Sequence, residues 1–168
     1  MINAKKLSQY SPKISQICLT ETFLNSNIQD SELFCSNYSV YRRDRATTAS
    51  KKLDGGGVLL AVRNNFAVGH ILAVRNNFAV GHMFDLQSVA EDVWLSVECV
   101  GGRVLICGVY LPPGDELAQQ AFLSNLQAVT LDHPDEKILI LGDFNLPSIV
   151  WSQSRGNHLQ PSVYDNKA

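Results

Sequence analysis

The sequence is poor in the features that mark secreted, membrane-anchored and strongly charged proteins. No apolar stretch approaches the roughly 18 residues of a membrane span, and no signal peptide is visible. The four cysteines show no CxxC spacing, which favours reduced thiols of an intracellular protein over a metal site or a disulfide framework. A formal net charge of -2 gives no global attraction to nucleic acid, so such a substrate would require a local basic patch.

The composition is that of one globular domain. Of the 168 residues, 45% are hydrophobic and 18% are charged, which is enough apolar material for a core. The glycine triplet at 55–57 lacks the GxxxxGK[ST] and GxGxxG patterns of phosphate-binding loops and leads into an apolar run. We interpret it as the flexible start of a strand.

The segment KILILGDFN at 137–145 is the most informative stretch. Four consecutive aliphatic residues without polar alternation predict a strand buried on both faces, as in the centre of an α/β sheet. Asp143 and Asn145 follow at the carboxyl end, where open α/β sheets bind their ligands. They favour a functional site, although an Asp and an Asn that only cap a turn give the same pattern.

A second acidic residue, Glu21, ends the apolar run of the segment QICLTET. If this strand neighbours the first one in the same sheet, the carboxylates of Glu21 and Asp143 converge. Oxygen ligands of this kind suit Mg²⁺, which keeps water and substrate phosphate in its remaining positions. The pattern therefore predicts phosphoryl transfer or hydrolysis.

At these residues the sequence resembles the endonuclease/exonuclease/phosphatase superfamily, and within it the apurinic-type endonuclease domain of non-LTR retrotransposons. The resemblance covers most of 17–151 and rests on phrases in a fixed order: ICLTETFLN at 17–25, YRRDR at 41–45, GGGVLLAV at 55–62, VYLPPG at 109–114 and GDFNLPSIVW at 142–151. It implies the α/β fold class, as a partial two-sheet α/β sandwich with flanking helices.

The resemblance also implies the role of each site residue. Glu21 would hold Mg²⁺, with Mn²⁺ as a substitute. Asp143 and Asn145 would orient the attacking water, and Tyr110 would steady the scissile phosphate of DNA. Hydrolysis of a phosphodiester bond, as in the nicking of a target site, is the reaction that these roles imply.

The resemblance further predicts an incomplete domain at 1–168 that lacks the first and the last strands of the family. The terminal Ser-Asp-His phrase of the family is not found, and the residues at 152–168 form a polar tail. Loss of a general acid or base commonly lowers the rate by roughly 100- to 10,000-fold, so we expect activity to be weak or lost.

A run of arginines at 42, 43 and 45 is the strongest local concentration of positive charge. Such a run is usually a solvated loop. The functional alternative, which the resemblance favours, is that Arg42, Arg43 and Arg45 bind the phosphate backbone of DNA.

An eleven-residue segment, LAVRNNFAVGH, occurs at 60–70 and again without change at 72–82, as a tandem duplication of period 12 within 60–83. Two copies are too few for a solenoid, so one copy is surplus and predicts an extra hairpin or a protruding loop. Because the period is even, it preserves the inward and outward alternation of a strand. We expect His70 and His82, which are copies of one position, on the surface or in a loop.

The remaining pattern predicts a hairpin and a helix. Strands at 93–100 and 103–111 are joined by Gly101 and Gly102, and a helix at about 116–131 follows with Asp115 as its cap. One apolar stripe of this helix packs on a sheet; its members are Leu117, Ala121, Phe122, Leu126 and Val129. A short strand is predicted at 38–41, after a polar surface stretch at 25–37.

Three functions remain open at this stage. The first is a Mg²⁺-dependent DNA endonuclease of retrotransposon type, which implies action in the nucleus. The second is an inactive remnant of such an enzyme, and the third is a relative that acts on a small phosphoester. Apart from metal and DNA, no partner is indicated, neither a protein nor a membrane.

Overall fold

Two sheets that pack face to face organise the chain, as the sequence predicts. The computed structural model describes residues 16–45, 55–64, 80–99 and 101–146, and the backbone of 151–153 and 159–161. Within these residues the first sheet has three strands and the second has four, and a long helix covers the outer face of the second sheet. The expected two-sheet α/β sandwich is confirmed.

The first sheet is antiparallel, with β3 in its centre. Its strands are β1 (Gln16–Thr20), β2 (Tyr38–Arg43) and β3 (Val58–Arg63), in the order β1-β3-β2. Leu59 and Ala61 face outward, where Phe34 and Tyr38 cover them together with residues near the short helix α1 (Asp30–Leu33). The stretch at 25–37, predicted to be polar surface, therefore contributes Phe34 to a core.

The second sheet is mixed. Its strands are β4 (Val80–His82), β5 (Glu91–Cys99), β6 (Gly102–Tyr110) and β7 (Lys137–Asp143), in the order β4-β5-β6-β7. The β5–β6 hairpin turns at Gly101 and confirms the predicted pair of strands. Strands β6 and β7 are parallel, so the helix α2 (Glu116–Asp132) crosses over between them. A 3₁₀ turn, Phe84–Leu86, follows β4, and β8 (Trp151–Gln153) pairs with β9 (Leu159–Pro161).

The two sheets are held together by aliphatic side chains that alternate along their strands. Leu60 and Val62 of β3 pack against Val93 and Leu95 of β5 and Ile106 of β6. Full burial of each such side chain stabilises the fold by about 1.5–3 kcal/mol. This interface fixes how the ends of β1, β5, β6 and β7 lie relative to one another.

Helix α2 begins where the sequence predicts. Asp115 accepts a hydrogen bond from the Ala118 amide at 3.0 Å, and Phe122 and Val129 are buried against the second sheet. The predicted place of Leu117 in the buried stripe is wrong, because this side chain is 79% exposed. At about 100° per residue, Leu117 lies roughly 140° around the helix from Phe122, outside the face that meets the sheet.

Strand β7 is an edge strand among the described strands, and not the central, fully buried strand that its four aliphatic residues predict. Ile138 and Ile140 pack beneath α2, but Leu139 on the opposite face is 41% exposed. A strand is buried on both faces only where other elements cover both of them, and an aliphatic run does not show whether such elements are present. Strands β1 and β7 also belong to different sheets, although they pack against each other across the interface.

The two copies of the duplicated segment are used differently. The first copy supplies most of β3 and the second supplies β4, so the connection between the two sheets runs through 64–79. His82, predicted on the surface or in a loop, lies half-buried in strand β4 instead, with its ring 3.7 Å from that of Phe84. Burial lowers its pKa. His70 and the predicted extra hairpin or loop lie outside the described residues.

Candidate active site

The predicted site residues meet at one end of the sandwich. Tyr110, the last residue of β6, is paired with Asp143 on β7 and with Glu91 on β5. Because paired residues of neighbouring strands project from the same face, these three side chains form a row that faces the first sheet. Glu21, which directly follows β1, reaches this row from the first sheet and hydrogen-bonds Tyr110. The acids therefore come from two sheets instead of two strands of one sheet.

Glu21 has an uncommon backbone conformation. Its φ is +51°, a left-handed value that residues with a Cβ seldom adopt. Its Oε2 atom accepts a hydrogen bond from the Gly56 amide at 2.7 Å. Strained residues persist only where the surrounding contacts enforce them, and they concentrate at functional sites.

The glycine triplet forms the corner that carries these contacts. All three residues have positive φ, and the adjacent amides of Gly56 and Gly57 donate to Glu21 and Glu91 at 2.7 and 2.5 Å. A Cβ on Gly56 would collide with the Arg45 guanidinium, and one on Gly57 would lie 2.5 Å from the Thr22 hydroxyl. The triplet leads into β3 as predicted, but it is a tightly packed corner whose positive φ values favour glycine, and not a flexible segment.

Arg45 connects Glu91 to Tyr110. Its Nε atom lies 2.5 Å from Glu91 Oε1, and its guanidinium lies over the Tyr110 ring, 5.7 Å from the centroid, within the range of a cation–π contact. Burial acts to lower the pKa of Arg45, but hydrogen bonds to Glu91 and Tyr110 and their charges outweigh it, so the pKa is raised. Arg45 is therefore the arginine of the basic run that belongs to the site.

Tyr110 is a buried phenol that lies between the Glu21 carboxylate and the Arg45 guanidinium. Burial raises its pKa, the hydrogen bond and charge of Glu21 raise it further, and Arg45 opposes them, with a net value of about 12. At neutral pH the hydroxyl therefore keeps its proton and can donate it in a hydrogen bond. A neutral donor at this place suits an anionic oxygen, whether of Glu21 or of a phosphate.

Asp143 and Asn145 make the turn contacts that the capping alternative predicts. The Asp143 Oδ1 atom accepts from the Asn145 amide at 3.1 Å, and the Asn145 carboxamide donates to the Leu111 carbonyl at 2.9 Å. Asn145 also has a positive φ, +45°. These bonds orient both side chains at the end of β7, and the part that they take in hydrolysis stays a prediction.

Arg42 and Arg43 lie in β2 and are engaged in ion pairs, so the simple solvated loop is wrong for these two residues. Arg42 Nε is 3.4 Å from an Asp30 carboxylate oxygen, and Arg43 Nη1 is 2.8 Å from Oδ1 of the fully buried Asp92. Both guanidinium groups hold parts of this chain together. Their binding of DNA phosphates stays a prediction.

Glu91 belongs to the site, and the sequence patterns did not predict it. It stands alone at the start of a strand, without a motif around it, and only the pairing of β5 with β6 places it beside Tyr110. Across the described residues, no group of three or more His, Cys, Asp or Glu side chains is arranged to hold a metal ion. Any metal at this site would therefore have few protein ligands.

Two comparisons with known proteins found a matching family and a similar fold. The profile of a family described as endonuclease-reverse transcriptase matches residues 104–167, which include Tyr110, Asp143 and Asn145. The fold is similar to that of the endonuclease domain of TRAS1, a telomere-specific non-LTR retrotransposon, with a TM-score of 0.53 and 13% sequence identity. The match covers 85% of this chain and 53% of that one, so the chain spans about half the length of that solved domain. No curated protein matches the sequence.

In the described part of the chain, no helix is long and apolar enough to cross a membrane.

Proposed function

We propose that this chain is a member of the endonuclease/exonuclease/phosphatase superfamily, in its retrotransposon-endonuclease branch, and that it hydrolyses phosphodiester bonds of DNA with the help of Mg²⁺. The observation that carries the proposal is the contact between Glu21 and Tyr110, which brings the end of the first sheet to the row of Tyr110 and Asp143. An acid, a neutral phenol and a second acid then surround one place at the rim of the sandwich. Phosphodiester hydrolysis uses such a set.

Glu21 is the residue that would hold Mg²⁺. This ion is usually bound by one or two carboxylates, with water and substrate phosphate as the other ligands, so a single well-oriented carboxylate fits it. The hydrogen bond from Gly56 to Oε2 fixes that orientation, and a carboxylate has acceptor positions for further partners. When bound, Mg²⁺ supplies Lewis-acid stabilisation of the phosphoryl oxygens.

The other residues act by orientation and proton transfer. Asp143 accepts the proton of the attacking water, and the turn that Asn145 closes holds the Asp143 carboxylate in place. Tyr110, which stays protonated at neutral pH, donates a hydrogen bond to the substrate phosphate. Arg45 keeps positive charge beside the phenol and adds to the attraction for a polyanion.

The test is nicking of supercoiled plasmid in Mg²⁺ by the wild-type chain and by Glu21→Gln and Asp143→Asn. We expect each variant to lower the rate by at least about 100-fold, since each removes a charged group from the transition state. Glu98→Gln, at the exposed far end of β5, is the control and should nick like the wild type.

Either of two results would overturn the proposal. One is a folded wild-type chain that does not nick, which would favour the inactive remnant. The other is equal nicking by the wild type and both site variants, which would point to a contaminant. Hydrolysis of a small phosphoester in place of plasmid would favour the third hypothesis from the sequence.

A further inference from the structure

Glu91 contacts two segments that are distant from it in the sequence. Its side chain is 16% exposed; Oε1 accepts from Arg45 Nε and Oε2 from the Gly57 amide, both at 2.5 Å. Arg45 lies just after β2 and Gly57 just before β3, whereas Glu91 begins β5. The Glu91 carboxylate of the second sheet thus hydrogen-bonds two segments of the first sheet at the site, one just after β2 and one just before β3.

The Gly57 contact bears on Glu21 because Gly56 and Gly57 are neighbours. The Gly56 amide donates to Glu21, and the next amide along the chain donates to Glu91. Three successive glycines have many accessible backbone conformations, so the chain alone does not fix the direction of these amides. Contacts set that direction: the two carboxylates accept from the amides, and the Thr22 and Phe23 amides donate to the Gly57 and Gly56 carbonyls.

The contacts around Tyr110 form a closed circuit. Glu21 bonds Gly56 and Tyr110, Glu91 bonds Gly57 and Arg45, and Arg45 lies over the ring of Tyr110. In such a network each hydrogen bond polarises the others, so removal of one group also weakens contacts that this group does not make itself. The Glu91 carboxylate bonds Gly57 and Arg45, and through these two residues it is connected to Glu21 and Tyr110, which carry the proposed reacting atoms.

We infer that Glu91 is a positioning residue: by holding the Gly57 amide and the Arg45 guanidinium, its carboxylate fixes the corner that presents Glu21 and the cation that lies over Tyr110. The inference rests on the proposed function and deepens it. Glu91 acts through these neighbours and does not touch the substrate.

The direct test is the backbone amide signal of Gly56 in protein labelled with ¹⁵N-glycine. In the wild type, hydrogen bonds to carboxylates should shift the Gly56 and Gly57 signals downfield and slow their exchange with solvent. In Glu91→Gln both signals should move upfield and exchange faster, whereas Glu98→Gln on the same strand should leave them unchanged. The signals of Gly108 and Gly142, inside the sheet region, report whether the fold is intact.

The inference is overturned if Gly57 moves and Gly56 does not, because Glu91 would then be a local contact only. Glu91→Asp supplies a second variant that keeps the buried negative charge but shortens the side chain, so it remains informative if Glu91→Gln does not fold. We expect it to shift the Gly56 signal in the same direction by a smaller amount.

Plasmid nicking supplies the second readout. Misplacement of a catalytic group by about 1 Å can lower the rate roughly 100-fold, so Glu91→Gln should lower kcat by about 10- to 100-fold and leave KM within about twofold. Unchanged kcat in an active, folded variant would refute the positioning role while leaving the proposed function standing. Absence of nicking in the wild type would instead refute the proposed function, and the Gly56 signal would still decide the role of Glu91.

Discussion

Gly142 is the position where one added methyl group should be most destabilising. Its φ is +148°, and a Cβ there would collide with the carbonyl group of Val109, its partner on β6. A backbone carbonyl in a paired strand cannot rotate away as a side chain can. We expect Gly142→Ala to push β7 away from β6 immediately beside Tyr110 and Asp143.

The size of the effect follows from two terms. Holding a non-glycine residue in such a sparsely populated conformation costs about 1–3 kcal/mol, and overpacking costs a further 1–3 kcal/mol, roughly. A domain of this kind has a total stability of about 5–15 kcal/mol, so the change removes a large part of it. At about 2–4 °C per kcal/mol for a chain of this length, Tm should fall by roughly 5–20 °C.

Thermal unfolding followed by circular dichroism measures this shift, and two other glycines separate its terms. Gly114 has a φ of +72° but nothing within 4 Å of an added Cβ, whereas Gly101 has open space and no positive φ. We expect Gly101→Ala to match the wild type, Gly114→Ala to be moderately destabilised and Gly142→Ala to be the least stable. A Gly142→Ala protein as stable as Gly114→Ala would refute the argument from the Val109 carbonyl.

Three further predictions concern the buried ion pair, helix α2 and the duplicated segment. Arg43→Met leaves the fully buried Asp92 carboxylate without its cation and should lower the free energy of unfolding in urea by about 3–5 kcal/mol. Phe122→Ala should lower it by about 3–5 kcal/mol, whereas the neighbouring Leu123→Ala, 62% exposed, should change it by less than about 0.5 kcal/mol. Deletion of 68–79 shortens the connection from β3 to β4 fourfold and should raise the free energy of unfolding by about 1 kcal/mol, because closing a shorter connection costs less entropy.

Each of these predictions has its own control. Arg103→Ala breaks an ion pair with Glu136 on the surface and should cost far less than Arg43→Met, so equal losses for the two variants would contradict the importance of burial. Equal losses for the two α2 variants would contradict the face on which the helix packs. A deletion variant that unfolds would contradict the assignment of β3 and β4 to different copies.

Local patterns predicted the elements whose determinants lie within them. Glycines at 101 and 102 mark the β5–β6 hairpin, and Asp115 starts α2 as a cap should, since both signals act over a few residues. The resemblance also placed Glu21, Tyr110 and Asp143 in one site, and the structure brings them to the same end of the sandwich.

Properties that depend on distant neighbours were not predictable from local patterns. The aliphatic run of β7 is the same whether one strand or two lie beside it, so it did not predict the edge position that β7 has among the described strands. Glu91 has no motif because its partners, Arg45 and Gly57, are more than thirty residues away. The glycine triplet looked flexible because glycine permits many conformations; its contacts with Glu21, Glu91, Arg45 and Thr22, all distant in sequence, select one of them.

The order of the strands along the chain allows it to be cut into two fragments that each contain one whole sheet. Among the described residues, every strand of the first sheet precedes 64 and every strand of the second follows 79. A cut in this connection would yield two fragments, one carrying Glu21 and Arg45 and the other carrying Glu91, Tyr110 and Asp143. Each fragment would expose the apolar face that normally meets the other, which supplies the affinity for reassembly. Recovery of the proposed hydrolytic activity on mixing the fragments would then measure the fraction of reassembled molecules, as in a split reporter.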